Sequence, residues 1–522
     1  MSITSFLRWA AGIRPAVNPG AASPTPPALR PAPTSVVTGW DDDEVLFSFG
    51  DPNCDQQTIR HACTGAVVFG STGAGKSTGP GATIALSYLG AGMGVIVFCV
   101  KEDEARTWEA YAAATGRSDD IVRFGSDPRW AFNFLDYEAR RPGIGSGLTE
   151  NLIQLFVEVV SIGAGETGGA RNEDPVWDNM LRSLVRNLLD LLLLAKRKIT
   201  LADMLAVLRS APLDHQQASS RSWRDGSVCA QFLDAAEAAT KGAARENDFR
   251  QTRDYWTNEF PGIPDKMRGS VVTMFTSKVE PLLRGDMATL FCERTTLIPE
   301  HVLAGKIVII DLPVKVMGEV GRCAGVIWKY CFQKAVERRR DNADSRGRPV
   351  AIWADEFQFF ITKSDFLFQT TARASRVATV YLTQTISGLL AVLGGEGNGK
   401  ARVDALIANL NTKIFCANSD SETNKWAADQ IGKQLINLSN DSTNNGYSGS
   451  LMGQGSLSVS HNRSKGRSQQ VDYSIQPGEF NNLKTGGPQN HGIVTAIAFQ
   501  TGRIWSSGKK WMIASFQQPQ RL

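Results

Sequence analysis

Two stretches of this chain carry residue types whose spacing can do chemistry. Between Ala66 and Ser77 the sequence reads AVVFGSTGAGKS, an apolar run that breaks into Gly70, Ser71, Thr72, Gly73, Ala74, Gly75, Lys76 and Ser77. This fits the GxxxxGK[ST] pattern, in which glycines let successive backbone N–H groups turn toward phosphate oxygens. In that pattern the lysine reaches the β and γ phosphates and the hydroxyl holds Mg2+, which assigns those tasks to Lys76 and Ser77. Thr78 then opens a helix whose positive amino end adds to anion binding. Far downstream, RPVAIWADE is a second apolar run, ending in Asp355 and Glu356. Asp355 is expected to bind Mg2+ and Glu356 to polarise a water for attack on the γ-phosphate. The rival readings are a chance match in a Gly-rich chain for the first stretch and a solvated strand end for the second. Each makes the other reading stronger, and the two are expected to fold onto neighbouring strand tips around one metal-bound triphosphate, ATP with Mg2+.

A third stretch, TTARASRVATVYLTQT (Thr370 to Thr385), predicts a helix bearing Arg373 and Arg376, followed by a strand from Val377 to Leu382 that ends on Thr383 and Gln384. A polar residue at such a tip can touch the γ-phosphate and report its loss, and Gln384 is the candidate. An arginine just before the strand can reach a neighbouring subunit's nucleotide. Arg373 is favoured over Arg376, with surface salt bridging as the rival reading for each.

Other elements must position these groups. VLFSFG from Val45 reads as a strand, and GMGVIVFCVK (Gly92 to Lys101) suits a parallel strand buried on both faces, with Lys101, Glu102 and Glu104 emerging at its carboxyl end. Ile121 to Phe124 and Phe132 to Leu135 read as short strands, and strand signals return at Gly305 to Pro313. Between them, from Leu148 to about Arg284, the pattern is helical. Asp174 and Pro175 look like the start of a helix with Trp177, Leu181, Leu184, Val185, Leu188, Leu189 and Leu192 on its apolar side. Lys196, Arg197 and Lys198 would complement its carboxyl end, and Thr200 with Asp203 resembles a variant capping box. Val320 to Arg340 reads as an amphipathic helix closed by Arg338, Arg339 and Arg340 as C-terminal caps. Asn440 to Gln470, rich in Ser, Asn and Gly, reads as a flexible, solvated loop or irregular hairpin. DNA contact through His461, Arg463, Lys465 and Arg467 is the lesser reading. VDYSI, GIVTAIAF and Lys509 to Phe516 supply the last strands.

Bulk properties narrow the field. A chain of 522 residues has room for two or three units. A net charge of +4 neither demands nor excludes a nucleic-acid partner. The eight cysteines form no CxxC pair, which argues against a zinc site or a disulfide framework. The apolar run Leu188 to Ala195 is short and carries Asp190, so it reads as a buried helix and not a membrane span. Prolines at 15, 19, 24, 26, 27, 31 and 33 make the leader an extended tether.

From the phosphate loop to near the carboxyl terminus the chain resembles the type IV coupling proteins of bacterial conjugation and secretion, the TraG/TraD group, related to the FtsK and HerA motors. The resemblance rests on the two motifs in this order, VIVFCVKEDE, FNFL, the helical insertion, DEF at Asp355 to Phe357, the arginine-to-glutamine stretch, NLNTKI (Asn409 to Ile414) and the helical look of Thr423 to Gly432. It implies an α/β, RecA-like P-loop NTPase core with a mostly parallel central sheet, interrupted by an all-helical domain. The units are then a leader (1–44), a first nucleotide-binding part (45–147), the insertion (148–297) and a second part (298–522). It implies a homohexameric ring that uses ATP to move DNA, or to deliver a DNA–protein complex to a secretion channel. Partners would be DNA held without sequence preference, a relaxase or secreted protein, and channel components. Members of the group commonly carry N-terminal transmembrane helices. Here only the proline-rich leader stands in that place, so the expectation is a cytoplasmic protein, peripheral at the membrane at most, whose docking there is indirect, absent or supplied by another protein as a separate anchor. Two other readings are a nucleotide-gated adaptor that recruits a relaxase or effector, and a soluble defence or partition ATPase.

Overall fold

The computed structural model describes residues 40–142, 149–160, 175–195, 198–242, 244–339, 347–393, 398–448 and 458–519. In chain order the strands are β1 (Val45–Ser48), β2 (Gln56–Thr58), β3 (Ala66–Phe69), β4 (Gly94–Phe98), β5 (Ile121–Phe124), β6 (Ile307–Ile310), β7 (Val350–Ala354), β8 (Val377–Thr383), β9 (Thr412–Phe415), β10 (Lys433–Ser448), β11 (Ser458–Tyr473), β12 (Ile493–Gln500) and β13 (Trp511–Gln517). Nine of them form one sheet in the order β13-β12-β9-β3-β8-β7-β4-β6-β5. The pairs from β9 to β5 are parallel, whereas β12 and β13 run antiparallel at one edge.

Every residue of β3, β4, β6, β7, β8 and β9 is buried. Such nearly continuous apolar runs, broken by Thr379, Thr383, Thr412 and Lys413, are what a parallel sheet covered on both faces requires. Alternate residues divide between two cores. Val67, Phe69, Ile96, Phe98, Val350 and Ile352 face one, while Val68, Val95, Val97, Ala351 and Trp353 face the other. The first is continuous with the helices that lie between β5 and β6, among them Thr149–Val160, Pro175–Ala195, Leu201–Arg209, Val228–Thr240 and Asp265–Val279. Leu188, Leu189, Leu191, Leu192 and Leu194 are all buried there. Stacked and edge-on rings join the helical block to the sheet: Trp328 lies 4.2 Å from Phe132 and 5.0 Å from Phe124, and Phe124 lies 5.2 Å from Phe291. No helix among the described residues is long and apolar enough to cross a membrane.

Several expectations are corrected. The strands carrying the two chemical motifs are not neighbours, because β8 is inserted between β3 and β7. Phe132 to Leu135 is not a strand: Asn133 caps the helix Phe134–Arg140, its side chain accepting from the Asp136 N–H, while Phe132 makes a single bridge to Thr295. The Trp40 ring packs under the Arg348 guanidinium and its carbonyl accepts from Arg376, five residues ahead of β1. The helix Val314–Arg338, kinked at Gly318, is not amphipathic in its central part. Arg322, Lys329 and Gln333 are buried along with its apolar residues. Lys329 ion-pairs with Asp365, which also accepts from Gln333. Arg338 lies in the last turn of that helix and Arg339 is its C-cap residue, as read from the sequence. Arg338 donates to the Tyr137 hydroxyl at 2.8 Å and Arg339 to the Arg348 carbonyl at 2.7 Å. Arg340 lies outside the described residues, as do Asp174, Lys196, Arg197 and residues 1–39. Lys198 donates to the Glu293 carbonyl, at the end of the helical turn Thr289–Glu293, rather than to the end of the helix Pro175–Ala195. The Thr200 hydroxyl accepts from the Asp203 N–H, which is half of a capping box. Finally, for the segment 440–470, read as a flexible loop or an irregular hairpin, the structure bears out the hairpin. The segment falls within a long antiparallel hairpin of β10 and β11, except for 449–457, which lie outside the described residues.

Candidate active site

β3 ends at Phe69 and the chain turns sharply. Gly70 donates its N–H to the Thr383 carbonyl of β8, and Ser71 donates to the Ala417 carbonyl beyond β9, so the loop hangs between the two flanking strands. Gly73 and Gly75 have φ of 78° and 79°, a region where L side chains are strained. At Gly75 a Cβ would also meet Val494 Cγ2 at 2.5 Å, so β12 closes one side of the loop. At Gly73 a Cβ would meet nothing, which leaves an open cradle. Among the described residues the backbone N–H groups of Thr72, Gly73, Gly75 and Lys76 find no protein acceptor. Unpaired, converging N–H groups next to a helix start are what a phosphate needs. The helix opens with a π-type turn over Ser77–Gly81 and continues as Ala82–Gly90. The Thr78 hydroxyl is exposed and accepts from the Gln518 side chain at 2.6 Å.

β7 delivers the acids to this loop despite the intervening strand. Ser77 Oγ donates to Asp355 Oδ2 at 2.6 Å, and Lys76 Nζ lies 3.1 Å from Glu356 Oε1 with both side chains buried. Glu356 adopts left-handed backbone, φ 52°, an uncommon conformation for a non-glycine residue that is frequent where function fixes the geometry. Its carboxylate is surrounded by donors: Gln358 at 2.8 Å, and Gln384 at 3.1 and 3.2 Å to its two oxygens. Burial alone would raise its pKa, but the Gln358 hydrogen bond, the Lys76 charge and the Gln384 hydrogen bond outweigh it and hold the carboxyl below its ordinary range. Lys101, at the tip of β4, brings a second ammonium to 4.0 Å.

β8 carries Gln384 to the carboxyl end of the sheet, as its place after the strand predicts. Thr383 donates to Gln358 at 3.0 Å, and the Gln384 carbonyl accepts from Asn418 at 2.9 Å. Asn418 in turn accepts from Ser71 at 3.0 Å. Gln358 and Asn418 escaped the sequence reading because no motif marks them. Each follows a strand tip by a few residues, which was the one available signal. Glu104 is a third acid at this end, half-buried, with Val100 N–H donating to it at 2.8 Å. Burial and the nearby charge of Asp355 push its pKa up to about 8.

The arginines lie elsewhere. Both precede β8, at the end of that strand opposite Gln384 and so roughly 20 Å from it. Arg376 is buried with φ 52°, donating to the Trp40 and Gly347 carbonyls and to Asp42 at 2.9 Å. Arg373 is exposed at the carboxyl end of the helix Asp365–Ala372. The site therefore gathers residues 70–77, Asp355, Glu356 and Gln384, and leaves Arg373 outside.

A mostly parallel sheet with helices on both faces, a glycine-rich loop after one strand and paired acids after another define a P-loop NTPase-like core with helical insertions. A family model described as the TraM recognition site of TraD and TraG matches residues 349–484, which run from β7 past the hairpin. The unbound monoclinic form of the bacterial conjugative coupling protein TrwBdeltaN70 is similar to this chain with a TM-score of 0.58 at 14% identity, covering 92% of this chain and 90% of that one. The plasmid coupling protein TrwB in complex with ADP and Mg2+ is similar with a TM-score of 0.55 at 14% identity, covering 92% and 90%. Its complex with the non-hydrolysable ATP analogue ADPNP gives 0.55 at 15%, covering 92% and 91%. At these identities the likeness is one of fold. No curated protein matches the sequence.

Proposed function

We propose that this chain is an ATP-hydrolysing coupling protein that moves DNA, or a DNA–protein complex, toward a conjugation or type IV secretion apparatus. The observation that carries the ATPase part is the convergence of Lys76, Ser77, Asp355, Glu356 and Gln384 at the carboxyl ends of β3, β7 and β8. The coupling part rests on two supports: the fold shared with TrwB over nearly the whole chain, and the family match that begins at β7.

The residues fit the nucleotide and metal. Ser77 and Asp355 are an adjacent hydroxyl and carboxylate of the kind that hold Mg2+ beside phosphates, and the N–H groups of Thr72, Gly73, Gly75 and Lys76 line an open cradle. Mg2+ would supply charge neutralisation on the phosphate oxygens. Lys76 swings from Glu356 to the phosphates. Glu356, kept ionised by Gln358 and Gln384, orients a water and takes its proton. Gln384 contacts Glu356 and the cradle's neighbour Asn418 together, so it can register whether the γ-phosphate is present. The RecA-like reading of the core is supported by this residue's following directly on β8, the strand between the two motif strands. Arg373, exposed and remote from its own site, suits a contact to the nucleotide of the next subunit in a homohexameric ring, whereas Arg376 is committed to its own chain. The division into 45–147, 148–297 and 298–522 is retained, with the helical unit facing relaxase or secreted-protein partners. The working place is the cytoplasmic face of the membrane.

The test is DNA-stimulated ATP hydrolysis by the assembled chain. Hydrolysis indifferent to DNA in an assembled ring, with substrate transfer retained by Glu356→Gln, would favour the nucleotide-gated adaptor instead.

A further inference from the structure

The phosphate loop follows β3 and the paired acids follow β7, so the distance between them is set through β8, which lies between those strands. Three consecutive residues of the acid turn dock on β8 and its tip. Glu356 accepts from Gln384 Nε2, 3.1 Å to Oε1 and 3.2 Å to Oε2. Phe357 stacks on Tyr381 with ring centroids 3.5 Å apart and planes within 7° of parallel. Gln358 Oε1 accepts from Thr383 Oγ1 at 3.0 Å. Tyr381 and Thr383 stand two apart on the strand and share one face, and both are buried.

Thr383 also reaches the phosphate loop. It is the register partner of Phe69, the last residue of β3, and its carbonyl accepts the Gly70 N–H that opens the loop, at 3.3 Å. One buried residue therefore holds the loop by its backbone and the acid turn by its side chain. Charge fixes the direction of the side-chain bond. An ionised carboxylate only accepts, so the Gln358 amide turns its NH2 group to Glu356 Oε2, at 2.8 Å. That leaves the amide oxygen toward Thr383, whose hydroxyl must donate. The amide is planar, so holding its oxygen also aims its N–H. This second bond matters once Lys76 has moved to the phosphates. A single Gln384 nitrogen bridging both carboxylate oxygens lets the group pivot, and the Gln358 bond to Oε2 removes that freedom.

We infer that Thr383 is a positioning residue for ATP hydrolysis: acting through Gln358, it fixes the Glu356 carboxylate relative to the phosphate loop, so that the water Glu356 orients lies in line with the γ-phosphate. The inference rests on the ATPase reading of the site and adds to it the residue that joins its two halves. The experiment measures phosphate release and binding of a fluorescent ATP analogue on the full-length, assembled chain. Thr383→Val is nearly isosteric, removes the hydroxyl and keeps the carbonyl contact to Gly70. It should lower kcat about 10-fold while KM and analogue affinity stay within about twofold of wild type. Thr383→Ser keeps the donor and should restore kcat to within about threefold. Gln358→Leu should lose as much as Thr383→Val, and the double variant should lose no more than Gln358→Leu alone, because both changes break one chain of contacts. Unchanged kcat in Thr383→Val, an equal loss in the valine and serine variants, or losses that multiply in the double variant would overturn the inference. If Thr383→Val does not fold, Gln358→Leu decides, since an unchanged kcat there would show that nothing passes through Gln358. Wild-type chain that releases no phosphate from ATP would instead overturn the ATPase reading beneath it.

Discussion

Replacing Glu356 with glutamine separates two roles that the structure assigns to one side chain. Glu356 is the proton acceptor for the attacking water, and it is also the partner of Lys76 at 3.1 Å when no phosphate is present. The amide is nearly isosteric, so Gln358 and Gln384 lose a charged acceptor but not a neighbour. Loss of a positioned general base costs roughly 10²- to 10⁴-fold in kcat. Lys76 must leave Glu356 before it can reach a phosphate, and a charge-assisted hydrogen bond contributes about 1.5–3 kcal/mol. Part of this is recovered by the phosphate contact in either chain, so removing the competing carboxylate should tighten ATP–Mg2+ binding, by up to ~10-fold. The assays are steady-state phosphate release on the assembled protein and equilibrium titration with a fluorescent ATP analogue. A kcat within about threefold of wild type would refute Glu356 as the base. Weaker nucleotide binding would refute the idea that the resting ion pair competes with the nucleotide.

The two arginines before β8 should part company. Arg376→Ala removes hydrogen bonds to Asp42, Trp40 and Gly347 and should lower unfolding free energy by about 2–3 kcal/mol in denaturant titration. Arg373→Ala should leave stability and nucleotide uptake intact while abolishing hydrolysis in the ring; full activity in the assembled variant would exclude the trans role. Lys329→Met leaves Asp365 charged in the core and should destabilise by about 3–5 kcal/mol, with Lys329→Met/Asp365→Leu recovering much of the loss. Equal stability of the two variants would show that the pair is not coupled. Glu104 has a folded pKa near 8 against an ordinary 4.5. The unfolded chain ionises first, so this group's contribution falls as pH rises from about 4.5 and levels off above about 8. At ~1.4 kcal/mol per unit the span is on the order of a few kcal/mol. Glu104→Gln should flatten that slope of stability against pH, and an unchanged slope would contradict the burial.

Local physics made much of the site legible. The glycines at 70, 73 and 75 and the Lys76–Ser77 pair are turn and phosphate chemistry written within eight residues. Fully apolar runs such as VIVF and VAIWA announce strands covered on both faces. Gln384 could be placed because a strand's end is visible wherever its β-branched run stops.

What the chain alone determined, then, was the inventory: a phosphate loop, paired acids, a polar tip and the strands that bear them, all set by backbone sterics and alternation over a few neighbours. Tertiary structure decided the arrangement. It set β8 between β3 and β7, wrapped Glu356 in Gln358 and Gln384, seated Arg376 on Asp42 while leaving Arg373 exposed, and paired 433–448 with 458–473 in a registered ribbon. These outcomes depend on which distant segments meet and how much water they exclude. Strand order, desolvation and pairing register are properties of the packed whole, and no short window of residues encodes them.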